Sequence, residues 1–317
     1  MSNRTSWSAF DRPSCTRIIV TAWLATTAFG AHAQTPPGRP HANFIQSQTA
    51  PVTVQNPSNS RPGARATALS YDRSTRSVSV IFRLPTSWNN PRAHYNDSDN
   101  EFYVLNGTLV VNGKRYTQGD YGFFPAGMHR HEMASPEGAT VIDFYEGEHK
   151  NHDATAAGQM YEPTRLIERI DTARMPWQAT NDLSLTLGMA GAVKLLRTAV
   201  NGEKTWLVRV EPETAEKIMR PAARHAAVLE VFVLDGDLHS PQGVMRSGGY
   251  AWLVPGQTTG PFGTRKGFTA LLRSQGGALN TSWTQAQEVP WSAPYAPDVS
   301  EQARQFVALP YDTNATY

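Results

Sequence analysis

EFYVLNGTL (residues 101–109) and EVFVLDGDL (residues 230–238) are two versions of one phrase. In each, a glycine stands six residues after the glutamate, Gly107 and Gly236. A second glycine stands 18 residues after it, Gly119 and Gly248, and a tyrosine 20 residues after it, Tyr121 and Tyr250. FFPAG and WLVPG follow, with Pro125 and Pro255 offset by a single residue. Four landmarks in register mark two copies of one unit, spanning 67–160 and 178–280.

Each copy is a series of short runs rich in β-branched and aromatic residues, VSVIFRL, FYVLNG, TLVVNG, YGFFP and TVIDFY in the first, broken by Gly, Asn-Gly or Pro turns. Asn112-Gly113 between Val111 and Lys114 is a hairpin signal. The expected fold class is all-β: two tandem jelly-roll barrels with a few short peripheral helices. Residues 160–171 and 298–307 carry the helical patterns, the latter with Asp298 or Ser300 as a cap. Residues 34–66, rich in Pro, Asn, Ser and Gln, read as an irregular lead-in, 161–177 as a linker and 281–317 as a C-terminal extension.

The first 33 residues read as a secretory signal. Arg4, Arg12 and Arg17 precede an apolar run from Ile18 to Phe29, and Ala31-His32-Ala33 is a small-x-small cleavage signal before Gln34. The run is shorter than the roughly 20 apolar residues of a membrane span. The expected location is the periplasm or outside, with no membrane association after cleavage. The remaining chain holds 26 Lys and Arg against 26 Asp and Glu, so nothing basic argues for nucleic acid. The one cysteine of the full chain, Cys15, lies in the leader. Disulfides, thiol nucleophiles and cysteine metal ligands are thereby excluded from the body.

The first copy carries His94-Tyr95-Asn96, four residues, Glu101, five residues, Gly107, and later Gly119, five residues, Pro125-Ala126-Gly127-Met128-His129-Arg130-His131. These resemble the two motifs of the cupins, over about two thirds of the chain, and more narrowly those of bicupins related to the cupin half of ChrR-like proteins. The resemblance implies a divalent metal, Fe, Mn, Ni or Zn, one per chain, with His94 and Glu101 as ligands. It implies His131 in preference to His129 as the third, and Asn96 as a weak neutral fourth. The physical case runs beside it. Glu101, Tyr103 and Leu105 share one strand face. If that face lines the barrel, a carboxylate stands in an apolar cavity, where a cation offsets its desolvation. Two imidazoles and one carboxylate form the facial set typical of non-haem Fe(II). Tyr103 is the aromatic candidate for orienting substrate beside Glu101.

The motif has departures. Asn96 replaces the second histidine, and Arg130 stands where the last histidine is usual. In the second copy Ala223 and Thr259 occupy histidine positions, leaving His225 and Glu230, so no metal is expected there. His149 and His152 read as a solvated loop. The leading functional expectation is a metal-dependent, dioxygenase-type oxidoreductase acting on a small organic molecule. The alternatives are a ligand-binding or sensing cupin without turnover, and a metal-dependent isomerase, lyase or hydrolase. A homodimer is the expected partner state.

Overall fold

The computed structural model describes residues 38–55 and 60–307, so the expected leader and its cleavage point lie outside the described residues. The described chain is built from antiparallel strands. The first copy contributes a sheet ordered 167–171, 120–124, 100–111, 139–145, 78–84, 65–71 and 52–54. The second contributes a sheet ordered 298–299, 42–46, 249–253, 228–236, 268–275, 204–210, 191–198 and 178–180. The seven strands of the first match the second strand for strand from 42–46 onward, and 298–299 is an extra edge strand without a counterpart. Smaller pairings close each barrel, 94–96 with 151–153 in the first and 219–224 with 258–259 and 282–288 in the second.

The correspondence is exact in register. Glu101 lies opposite Phe123 and Phe144, and Glu230 opposite Trp252 and Arg273. Gly119 N–H donates to Val104 O at 2.9 Å, and Gly248 N–H to Val233 O at 2.8 Å. Gly107 and Gly236 have φ of +76° and +83°, and a Cβ on either would lie about 2 Å from the carbonyl oxygen of Gly138 or Gly267. Both reasons demand glycine at that bend.

The ends of the chain depart from expectation. The lead-in contains a strand, Ala42–Gln46, that pairs with Gly249–Leu253 of the second barrel. Its counterpart on the first barrel is Ile167–Asp171, from the expected linker, paired with Asp120–Phe124. So the segment before the first barrel edges the second, and the segment after it edges the first. The helix expected at 160–171 is instead a 3-10 turn, Pro163–Arg165, followed by that strand. The helix expected at 298–307 is the short strand Asp298–Val299 and a 3-10 helix, Glu301–Phe306. Strand pairing along an open sheet edge outweighs the weak propensity of these short segments.

Three apolar cores form among the described residues. One fills the first barrel, with Phe82, Phe102, Val104, Phe124 and Val141. One fills the second, with Trp206, Leu229, Val231, Leu253 and Leu272. The third lies between the barrels and joins Tyr103, Leu105, Ile142 and Phe144 of the first to Phe232, Tyr250, Trp252 and Leu271 of the second. The central strands therefore bury both faces, one inside their own barrel and one against the other barrel. The described residues pack as one unit.

Candidate functional site

Strand Asn100–Val111 decides where Glu101 points. Phe102 and Val104 face the barrel interior, while Tyr103 and Leu105 face the inter-barrel core. Side chains alternate along a strand, so Glu101 goes with Tyr103, away from the first barrel's interior. It is buried there and ion-paired. Tyr121 Oη donates to Glu101 Oε1 at 2.6 Å, and Arg273 Nε to Oε2 at 2.8 Å. Its repeat mate mirrors it: Tyr250 Oη donates to Glu230 Oε1 at 2.7 Å, and Arg273 Nη1 to Oε2 at 2.6 Å. Ser79 of the first barrel also bonds Glu230, and Arg273 Nη2 reaches Glu146 Oε1 at 2.7 Å.

One guanidinium from the second barrel thus clasps both motif glutamates, and it stacks at 4.1 Å on Phe144, its own repeat counterpart. Burial alone would lower the Arg273 pKa, but Glu101, Glu230 and Glu146 outweigh it and hold the pKa well above the ordinary value. Burial, then the adjacent glutamate, pushes the Tyr121 and Tyr250 phenols well up, so both stay protonated donors. This is an inter-barrel clasp. The Glu101 and Tyr103 assigned to chemistry from the sequence lie in it, because the strand's inward face is the other one.

The remaining expected ligands separate as well. His94 is fully buried at the first barrel's interior and is held by mutual backbone bonds with Arg130. Asn96 is buried two residues on. His131 is exposed, with its backbone N–H tied to Asn112 Oδ1 at 2.8 Å. His129 Nε2 lies 2.9 Å from Ala154 O. The inward side chain of that hairpin is Arg130, whose guanidinium lies 5.4 Å over the Phe124 ring. His94, Glu101 and His131 therefore do not converge. Among the described residues no group of three or more His, Asp or Glu is placed to hold a metal. The inward donors at the motif positions are one imidazole, two amides (Asn96 and Asn100) and a guanidinium. A guanidinium has no lone pair to give and repels a cation, so the motif positions by themselves do not make a divalent-metal site.

What the interior does hold is a polar network. Arg61 Nη2 donates to Asp143 Oδ1 at 2.6 Å, Asn100 Nδ2 to the same oxygen at 2.9 Å, and Arg130 Nη2 to Asn100 Oδ1 at 3.4 Å. Burial lowers the Arg130 pKa to about 10, with Arg61 contributing, and it remains charged at neutral pH. Burial also lowers the His94 pKa to about 4, which leaves the ring neutral. His94 Nδ1 lies 2.8 Å from Arg92 O. A carbonyl only accepts, so Nδ1 carries the proton and Nε2 presents a lone pair. Arg61 and Asp143 carry no motif and went unnoticed in sequence. The available signal was an aspartate inside the apolar run TVIDFY.

The other histidines are divided. His152, in the loop read as solvated, is partly exposed, stacks on Tyr95 at 5.0 Å and lies 3.2 Å from Asp97. His149 stacks on Tyr145 at 4.2 Å with its Nδ1 buried. In the second barrel His225 Nδ1 pairs with Thr281 Oγ1 at 2.8 Å, and Glu230 faces the clasp instead of His225.

The comparisons agree with this architecture. A solved structure of a candidate dioxygenase from Nostoc punctiforme is similar at a TM-score of 0.69 and 16% identity, covering 80% of this chain and 89% of that one. The protein YlbA of E. coli, from the family DUF861, is similar at a TM-score of 0.52 and 12% identity, covering 78% of this chain and 95% of that one. At such identities the likeness is one of fold, and the fold is the two-barrel cupin architecture. No curated protein matches the chain. The model of a domain of unknown function, DUF4437, matches residues 46–300, which take in nearly all of both barrels. The chain belongs to the DUF4437 family and has the bicupin fold.

Proposed function

We propose that the first barrel's interior is the working site, that it binds a small organic molecule without a resident metal, and that the second barrel is its scaffold. The observation that carries this is Arg130, a buried guanidinium at the position of the last motif histidine, with asparagines at two further inward positions. Of the functions open to such a chain, binding without metal-based turnover, as in the sensing role of the ChrR-like cupins its motifs resemble, is the one this donor set supports. A dioxygenase role has the name of the similar Nostoc structure in its favour, and that likeness is one of fold. The expected leader supports export of the binder to the periplasm or outside, and pairing through exposed sheet edges would make it a homodimer.

Metal analysis of the protein from its native compartment is expected to find well under one Fe, Mn, Ni or Zn per chain. Added Fe(II) or Mn(II) is expected to give no oxygen uptake that Glu101→Gln abolishes. One metal per chain that His94→Ala removes would overturn the proposal. N-terminal sequencing of the exported protein is expected to begin at Gln34.

A further inference from the structure

The interior of the first barrel carries polar atoms with no protein partner. They are Arg130 Nη1, His94 Nε2, Asn96 Oδ1, Ser98 Oγ, Asp143 Oδ2 and His149 Nδ1. Arg130, His94, Asn96 and Asp143 are all at least 98% buried. Buried polar groups are normally satisfied, so a cluster left open in one compartment marks a place for something else. His94 and Arg130 are joined through their backbones, and Arg130 interacts electrostatically with Asp143 and Arg61. His149 also interacts electrostatically with Asp143 and Arg130, so the open atoms of His94, Arg130, Asp143 and His149 belong to one neighbourhood. Among the described residues, the matching positions of the second barrel, Ala223, His225, Leu229, Thr259 and Leu272, carry no buried polar atom left without a partner.

Two properties of the cluster define its ligand. The first is charge. The buried ionic groups here are Arg61, Arg130 and Asp143, two positive and one negative. Arg61 is paired with Asp143, whereas Arg130 forms no ion pair among the described residues and reaches the Asn100 amide oxygen at 3.4 Å, near the limit of a hydrogen bond. Arg92 and Asp153 form a partly exposed ion pair with each other, and Asp97, half-buried, lies 3.2 Å from His152 Nε2. One buried positive charge is left over, which an anion would offset. The second is hydrogen-bond sense. Arg130 Nη1 donates, but neutral His94 Nε2, Asn96 Oδ1 and Asp143 Oδ2 all accept. A bare anion such as chloride or acetate answers only the arginine. A ligand that also brings a donor answers both.

Resting on the reading of this barrel as a metal-free site, we propose that it binds a small monoanionic hydroxy acid. The carboxylate lies on Arg130, and the hydroxyl donates into the acceptors around His94.

The test uses full-length processed protein, dialysed exhaustively and then equilibrated for hours with glycolate, L-lactate, acetate or chloride. Binding is read by calorimetry and by the shift of the thermal midpoint. Glycolate or lactate is expected to bind at least tenfold more tightly than acetate, and chloride more weakly still. Arg130→Gln is expected to lose at least tenfold in affinity for all of them. His94→Phe is expected to erase the preference for the hydroxy acid while keeping acetate binding. Should Arg130→Gln fail to fold, His94→Phe and the ligand ranking decide alone. Acetate binding as well as glycolate, or no hydroxy acid binding at millimolar concentration, overturns the hydroxy-acid assignment. A neutral polyol binding in its place overturns it too, and leaves the metal-free site intact. Stoichiometric metal in the dialysed protein instead overturns the underlying reading.

Discussion

The two barrels share a fold and differ in what they enclose. His94 bridges Arg130 in the first, and Ala223 pairs with Thr259 at the same place in the second. Asp143, opposite Phe102, corresponds to Leu272, opposite Val231. Asn100 corresponds to Leu229, since each immediately precedes its clasp glutamate. A histidine, an amide, a guanidinium and a carboxylate give way to alanine, leucine, threonine and leucine. The second barrel shows that these strands close without a buried ionic group at these four positions. The polar filling of the first is therefore not a requirement of the architecture, and ionic burial is a poor source of stability. What the barrels hold in common, Glu101 and Glu230 with Tyr121 and Tyr250, lies between them and serves both.

The comparison can be broken most severely at its shared element. Arg273→Met leaves Glu101 and Glu230 buried without their cation, and a loss of roughly 3–5 kcal/mol is expected from a urea titration. A loss under about 1 kcal/mol would mean the glutamates are neutral or hydrated, and the clasp is not what holds the barrels together.

Acid should reveal a feature that the barrels do share. Burial lowers both His94 and His225 to about 4. Unfolded, each would take up a proton below about 6.5. Between these values the unfolded chain binds more protons, so stability falls as the pH drops from 6.5 towards 4. Each ring contributes roughly 3 kcal/mol at most to that fall. His94→Gln and His225→Gln should each flatten the stability–pH curve by a similar amount. A curve that neither variant changes would refute the buried neutral rings.

Making the first barrel resemble the second sharpens the contrast. Arg61→Met, Arg130→Met and Asp143→Leu together replace the ionic network by apolar groups. Stability is expected to hold or to rise by roughly 1–4 kcal/mol, while hydroxy-acid binding disappears. If the triple variant unfolds, the network is structural and the contrast between the barrels has been misread.

The smallest effect belongs to an exposed residue. His131→Ala should leave the unfolding midpoint, metal content and ligand binding unchanged, because its ring lies in solvent. A change in metal content would restore it as a ligand.

Much of this was legible beforehand. The repeat at Glu101 and Glu230, the β-rich runs and the turn glycines carry the two-barrel fold, and Ala223 and Thr259 already mark the second site as lost. Arg130 stood out as the residue in the last histidine's place, but its neighbours could not be seen. Arg61 and Asp143 lie 82 residues apart and meet only through the closed barrel. The edge strand Ala42–Gln46 was hidden for the same reason, since its partner lies more than 200 residues on.

The sequence by itself determined the fold class, the duplication and the inequality of the two copies, because period-two patterns and turn chemistry are local. Only the tertiary structure decided which face of strand Asn100–Val111 looks inward. A strand on a protein surface declares its buried face by alternating apolar and polar residues. This one is buried on both faces, in its barrel on one side and against the second barrel on the other. Its pattern therefore carries no sign of direction, and a one-residue difference in parity turns a metal-ligand carboxylate into the anchor of an inter-barrel clasp.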